Sequence, residues 1–299
     1  MKKIIASAFM LLCHNLPIPD KLYLQILYFL HFFKRLNLKD PKTFSEKLQW
    51  LKLYNRKPEY TQMVDKYAVK EYVKNIIGEQ YIIPTLGFWD TPQQIEWDKL
   101  PKQFVLKTTH GGGGSGVVIC KDKDTFDRKA AIKKLQREMK KDIYRNWREY
   151  PYKDIPHRIL AEKYMEDATS KDDLHDYKFY CFNGEVKMLY ITSDRNTVSG
   201  LREDFFDCDT KKLLPFNQKG YFNNPKTPEL PCNFEKMKQL ASLLSVNIPQ
   251  LRVDFYEVDG KIYFGELTFF CGSGFSLFSP KEWEYRIGSW IKLPTDKTL

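Results

Sequence analysis

The stretch FVLKTTHGGGGSGVVICKDK, Phe104 to Lys123, sets four consecutive glycines between an apolar run ending at Lys107 and a second apolar run. Glycine has no Cβ and loses more conformational freedom on ordering than any other residue, so the four interrupt regular structure. The flanks read as strands, and the whole reads as a hairpin with a backbone-lined tip. Such a tip can cradle phosphates, because its N–H groups meet no side chain of their own. A Walker loop needs Gly-Lys-Ser/Thr opening a helix, and a dinucleotide loop needs G-x-G-x-x-G between strand and helix. Both are excluded here, because Ser115 and Gly116 lead into the β-rich VVIC. A flap over a triphosphate remains, beside the plainer reading of a solvent-exposed linker. Lys107 favours the flap, since it sets a cation at the strand end where phosphates would lie.

The rest of the chain reads as mixed helix and strand. Thr43 and Glu46 have the T-x-x-E form of a capping box, with Phe44, Leu48, Leu51 and Leu53 near helical spacing around them. Residues 63–78 read as one amphipathic helix ended by Gly78, and 125–147 as one charged helix. Strands are expected within 82–89, 104–107, 117–121, 158–165, 177–193 and 251–269. Asn183-Gly184 and Asp259-Gly260 fold the last two into hairpins, with a helix over 234–246 between them. These elements imply an α+β fold with antiparallel hairpins.

A chain of 299 residues can form one large domain or two lobes, and 42% hydrophobic content excludes disorder. The net charge of +10 favours anionic partners, unless surplus lysine only aids solubility. Six scattered cysteines without C-x-x-C spacing argue against zinc and against a disulfide framework, and fit reduced thiols in a cytosolic protein. The start MKKIIASAFMLLC imitates a signal peptide, but its apolar run is too short to span a bilayer and no A-x-A-like site closes it. With ILYFLHFF at 26–33, and Asp20 as the one acid before Asp40, a basic, apolar-faced helix pair suits a membrane surface. Packing on the body is the plainer reading.

The sharpest constellation is Arg252-Val253-Asp254 with Glu266-Leu267-Thr268, joined by the Asp-Gly turn. Alternation places Arg252 and Asp254 on one face of their strand, and Glu266 and Thr268 on one face of its partner. Inward-facing carboxylates on adjacent strands repel unless a cation stands between them. Two exposed acids of a surface hairpin are the alternative.

FVLKTTHGGGGSGVVI, ILAEKYMED, DYKFYCFNG and RVDFYEVDGKIYFGELTFFCGSG, in this order, resemble the ATP-grasp fold. The segment DPKTFSEKLQWLKLYNRKPEYTQMVDKYAVKEYV is similar to its TupA-like branch, so the resemblance covers residues 38–290. The resemblance implies N-terminal helices over 1–60, a small lobe with the flap over 61–156, and a large lobe with a metal site over 157–299. It implies that Lys66 and Lys107 contact the phosphates of ATP beneath Gly111, Gly112, Gly113, Gly114, Ser115 and Gly116. Glu162, Lys163, Tyr164 and Met165 resemble the hinge that receives adenine, and Asp167 the residue that meets the ribose. Lys178 resembles the base that reaches the γ-phosphate. Asp254, Glu266 and Thr268 take the place of ligands for two Mg²⁺ ions, with threonine where many members have asparagine. Arg252 would stabilise developing charge, Arg195 an anionic acceptor, and Gly272-Ser273-Gly274 resembles a loop near the acceptor. Without the motif order Lys66 would read as a solvated helix lysine, and a solvent-facing strand lysine is the alternative for Lys178.

The implied activity is an ATP- and Mg²⁺-dependent carboxylate–amine ligase working through an acyl phosphate. The family context is bacterial capsule or cell-surface polysaccharide synthesis, joining an amino acid to a uronic acid in the cytoplasm. A sugar kinase or a nucleotide-sugar glycosyltransferase is the alternative. A nucleic-acid partner is disfavoured, because the lysines are dispersed and no recognised module appears.

Overall fold

The Thr43 side chain accepts from the Glu46 N–H at 3.2 Å, and the Glu46 carboxylate accepts from the Thr43 N–H at 3.0 Å. The capping box therefore opens a helix where the sequence placed one. The computed structural model describes residues 2–13, 16–166, 175–193 and 201–295. Helices α1 (Lys2–Cys13), α2 (Asp20–Phe32) and α3 (Phe44–Tyr54) come first. Ala6 of α1 and Tyr23, Leu24 and Leu27 of α2 share a small apolar cluster with Leu53 of α3, which ties the N-terminal pair to the body. None of the described helices is long and apolar enough to cross a membrane.

The helix expected over 63–78 is in fact two, α4 (Glu59–Val64) and α5 (Ala68–Ile77). Asp65 makes the break: its Oδ1 accepts from the N–H groups of Tyr67 at 2.8 Å and Ala68 at 3.2 Å, capping α5 and turning the chain at Lys66. Strands β1 (Thr85–Trp89), β2 (Phe104–Thr108) and β3 (Val117–Cys120) follow, then α6 (Arg128–Glu138) and α7 (Ile143–Trp147). These two replace the single helix expected over 125–147, because Asp127 and Asp142 each cap a separate helix at 2.9 and 2.8 Å.

Strand β4 (Ile159–Lys163) lies between β1 and β2 in a four-stranded antiparallel sheet ordered β1-β4-β2-β3. The sequence division placed it in the large lobe, but Leu106↔Ala161 on one side and Phe88↔Leu160 on the other seat it inside the smaller sheet. The sheets part after Lys163, not at residue 156.

The larger sheet is built from β5 (Asp176–Phe182), β6 (Glu185–Ser193), β7 (Arg202–Asp207) and, beyond a short β8 (Asn217–Gln218) and helix α8 (Phe234–Leu244), from β9 (Leu251–Val258) and β10 (Lys261–Thr268). Its order is β10-β9-β5-β6-β7, all antiparallel. Both expected hairpin turns form, with φ of 53° and 87° at Asn183-Gly184 and of 50° and 72° at Asp259-Gly260. A last strand β11 (Phe278–Ser279) pairs with β8, and α9 (Glu282–Trp290) follows.

One face of the large sheet is apolar. Phe179, Val253, Phe255 and Leu267 pack there in the same core as Phe234, Met237 and Leu240 of α8. The other face carries the polar residues singled out above. The six cysteines are free; Cys120, Cys181, Cys208 and Cys271 are buried, Cys13 is half-buried and Cys232 is exposed.

Candidate active site

Register brings the polar residues of the large sheet into two cross-strand rows. Lys178, Asp254 and Glu266 stand opposite one another on β5, β9 and β10, and Tyr180, Arg252 and Thr268 form the next row. Simple alternation from the Asp259-Gly260 turn would pair Glu266 with Val253 and aim it into the core. A bulge at Gly265 absorbs one residue, so Glu266 faces Asp254 instead. A Cβ at Gly265 would lie 3.1 Å from the Asp254 carbonyl oxygen, a tight contact that glycine avoids.

The repulsion between these carboxylates is met by Arg252. Its Nε donates to Asp254 Oδ1 at 2.7 Å, and its Nη2 bridges Asp254 Oδ2 at 2.7 Å and Glu266 Oε1 at 2.6 Å. Lys178 Nζ lies 2.7 Å from Asp254 Oδ2 and 3.2 Å from Asp176 Oδ2. Thr268 Oγ1 donates to Glu266 Oε1 at 3.3 Å. Burial pushes the Asp254 carboxyl up despite Arg252 and Lys178. Burial also acts upward on Glu266, but Arg252, Lys66 and Lys178 outweigh it and hold that carboxyl below the usual range. Glu266 therefore stays ionised at a solvent-reachable position, its side chain 41% exposed.

The small sheet supplies a second cluster. Lys107 Nζ and Lys70 Nζ each lie 2.6 Å from an oxygen of Glu162, and those two cations hold its buried carboxyl below its ordinary value. Lys66, at the break before α5, donates its N–H to Thr109 O at 3.0 Å and its Nζ to Gly111 O, so the first expected phosphate lysine anchors the base of the glycine loop. Burial lowers its pKa and Lys107 lowers it further, while Glu266 opposes from the large sheet. The two clusters thus face each other closely enough to interact.

The loop is the expected hairpin tip, with Lys107 opposite Val117 in register. Gly114 takes φ of 74°, and a Cβ on Gly116 would stand 2.2 Å from Thr108 Oγ1. Ser115 is exposed, donates to Gly112 O at 3.4 Å and accepts from Lys141 Nζ at 3.4 Å. At the hinge, the Lys163 N–H donates to Pro84 O at 3.0 Å. Lys163 and Met165, with half-buried Tyr164 between them, border a cavity of about 410 Å³ walled by Ile82, Ile83, Pro84 and Tyr263. Glu162 turns to Lys70 and Lys107 rather than standing free. Asp167 and Arg195 lie outside the described residues.

His110, beside the loop, stacks on His157 with centroids 3.5 Å apart and planes 7° from parallel. Its Nε2 faces Glu138 O at 3.3 Å. Burial, with His157 and Lys66 acting the same way, brings its pKa down to about 4. The folded protein then binds fewer protons than the unfolded chain between about pH 6.5 and 4, so stability is retained above that window and falls with pH inside it. Unfolding in urea at pH 5 is expected to show a loss of about 2 kcal/mol from this group relative to pH 7, and His110→Gln is expected to remove that part of the slope. An unchanged slope in the variant would contradict the assignment.

Two facing antiparallel sheets, one with a glycine-tipped hairpin over lysines and the other with opposed carboxylates, are the arrangement of an ATP-grasp protein. Residues 46–292 match the model of the TupA-like ATPgrasp family, and the chain belongs to that family. No curated protein matches the sequence. Similar solved structures include the D-alanine–D-alanine ligase of Helicobacter pylori, 16% identical over 84% of this chain and 69% of that one, with a TM-score of 0.43. The D-alanine–D-alanine ligase of Bacillus anthracis complexed with ATP is 18% identical over 69% of this chain and 53% of that one, TM-score 0.38. The ATP-grasp ligase PsnB, complexed with a variant precursor, Mg and ADP, is 13% identical over 75% and 57%, TM-score 0.42. The chain therefore spans 53% to 69% of the length of these ligases.

The donor set suits Mg²⁺. Asp254 and Glu266 offer hard carboxylate oxygens and Thr268 a hydroxyl, and Mg²⁺ usually takes one or two carboxylates beside substrate phosphates and water. Among the described residues no group of three or more His, Cys, Asp or Glu could hold a metal alone, so a nucleotide's own oxygens would complete the shell. Sequence reading overlooked Lys70 and Asp176. Asp176 was within reach, since it shares a strand face with Lys178. Lys70 had no signal, because its partner Glu162 is 92 positions away.

Proposed function

We propose that the chain is an ATP- and Mg²⁺-dependent carboxylate–amine ligase that works through an acyl phosphate. The observation that carries this reading is Arg252 held between opposed Asp254 and Glu266, with Lys66, at the base of the glycine loop, close enough to act on the Glu266 carboxylate. Bound Mg²⁺, on Asp254, Glu266 and Thr268, would supply Lewis-acid charge at the phosphates, and two ions fit the family pattern. Lys66, Lys107 and the loop from Gly111 to Gly116 bind and orient those phosphates, and Lys178 reaches the γ-phosphoryl. The cavity at Lys163–Met165 takes the purine, with Glu162 accepting from its exocyclic amine and Asp167 meeting the ribose. Arg252 stabilises charge that develops on the transferring phosphoryl or on the tetrahedral oxyanion. The glycine hairpin excludes water, which would otherwise hydrolyse the acyl phosphate before the amine arrives.

The substrate class follows from the family alone: a uronic acid or similar glycan carboxylate and an amino-acid amine, joined in bacterial capsule or cell-surface polysaccharide synthesis on the cytoplasmic side of the membrane. The test is release of phosphate from ATP and Mg²⁺ against pairs of uronic acids and amino acids, with mass spectrometry of the products. Phosphate and amide formed together, only when both substrates are present, is the expected result. A stable phosphosugar would replace the ligase with a kinase, and glycoside formation without ATP consumption would replace it with a glycosyltransferase.

A further inference from the structure

Among the described residues, sixteen large apolar side chains are strongly exposed, and seven of them lie in the first 33 positions. Leu11 and Leu12, at the end of α1, are 80% and 76% exposed. Leu22 and Phe29 recur at positions i and i+7 on one side of α2, whose other side buries Tyr23, Leu24 and Leu27, and Phe33 is exposed at its C-cap. The rings of Phe29 and Phe33 meet edge to face at 5.8 Å. Each of the two helices therefore also carries large apolar side chains that the described residues leave exposed.

Apart from Asp20, the charged residues within positions 20–39 are basic. Lys21, Lys34, Arg35 and Lys39 are exposed. Asp20, the one acid before Asp40, is withdrawn: Arg56 Nη2 lies 2.5 Å and Arg148 Nε 3.3 Å from its carboxylate, and Tyr144 donates to it at 2.8 Å. Asp40 in turn is paired with Lys42 at 2.7 Å. A second copy docked about a two-fold axis would bring these cations against their equivalents, whereas an anionic lipid surface would neutralise them.

We propose that the α1–α2 pair seats the protein on an anionic phospholipid bilayer. Leu11, Leu12, Phe29 and Phe33 enter the headgroup–acyl boundary, and Lys21, Lys34 and Arg35 meet the phosphates. The seat adjoins the loop that follows the metal-ligand strand. Phe275 packs on His31 at 4.5 Å and on Phe32 at 6.0 Å, just beyond Gly272-Ser273-Gly274. An acceptor held at the same surface by a lipid anchor would approach from that side. That consequence rests on the ligase reading, whereas the docking does not.

The test is co-sedimentation of the full chain, without nucleotide, with vesicles of two parts phosphatidylcholine to one part phosphatidylglycerol, and with pure phosphatidylcholine. The expected result is binding to the mixed vesicles that is at least about tenfold stronger than to the neutral ones and is lost at high salt. Phe29→Ser with Phe33→Ser, and separately Lys34→Glu with Arg35→Glu, are each expected to weaken it at least about tenfold. Circular dichroism melts of both variants guard against unfolding as the cause, and because the two pairs differ in chemistry, loss in one alone would not satisfy the proposal. Equal binding to both vesicles, no binding to either, or a shift from dimer to monomer on Phe29→Ser with Phe33→Ser would overturn it, the last by showing that the patch joins two copies.

Discussion

Glu266→Gln is expected to lower Mg²⁺-dependent ATP turnover by at least about 10³-fold while leaving the melting temperature almost unchanged. The two halves of that expectation have different causes. Glu266 is 41% exposed and shares Arg252 with Asp254, so an amide in its place leaves no buried charge without a partner. What the variant loses is a negative oxygen donor that Arg252, Lys66 and Lys178 keep ionised. Asp254→Asn makes the contrast. Asp254 is 2% exposed and carries both Arg252 and Lys178, so neutralising it is expected to cost stability as well as turnover, about 3 kcal/mol of it. Turnover of Glu266→Gln within threefold of the parent would remove Glu266 from the metal site, and equal melting losses in both variants would remove the distinction drawn between them.

The contrast between these two acids also marks where the sequence stopped being informative. What depends on a few adjacent residues was legible: the Thr43–Glu46 box, the Asn183-Gly184 and Asp259-Gly260 turns, and the glycine hairpin beside Lys107. Alternation was legible too, and it grouped Arg252 with Asp254 and Glu266 with Thr268. It could not align the two groups, because the bulge at Gly265 that sets Glu266 against Asp254 is a property of the strand pair and not of either strand. The periodicity of residues 63–78 likewise concealed the Asp65 cap that breaks the helix and delivers Lys66 to the loop. Repulsion between the carboxylates calls for a cation, for which the sequence resemblance offers Mg²⁺; in the structure Arg252 stands between them. Placing β4 needed the tertiary fold as well, since ILAEK reads the same in either sheet.

Lys52→Met is expected to destabilise the protein by about 3–5 kcal/mol, a fall in Tm of roughly 6–15 °C. Lys52 is fully buried on α3. Its Nζ donates to Trp147 O at 2.9 Å and to Ser273 O at 2.7 Å, and it lies 5.1 Å from the centre of the Phe275 ring. Burial lowers its pKa and raises that of Glu149, while each charge favours the other, and Ser273 Oγ completes the group by donating to Glu149 Oε1. Methionine fills the same volume, so packing is conserved and the loss is electrostatic: two carbonyls lose a donor and Glu149 is left in the interior without its counter-charge. Adding Glu149→Gln to Lys52→Met removes that stranded carboxylate and is expected to recover about half of the loss, since the two carbonyls stay unpaired. Lys52 ties α3 and the end of α7 to the loop at Ser273, and so joins the N-terminal helices to the segment that follows β10 through one side chain. If Lys52→Met melts within about 2 °C of the parent, or if Glu149→Gln deepens the loss, the buried pair is not what holds that junction.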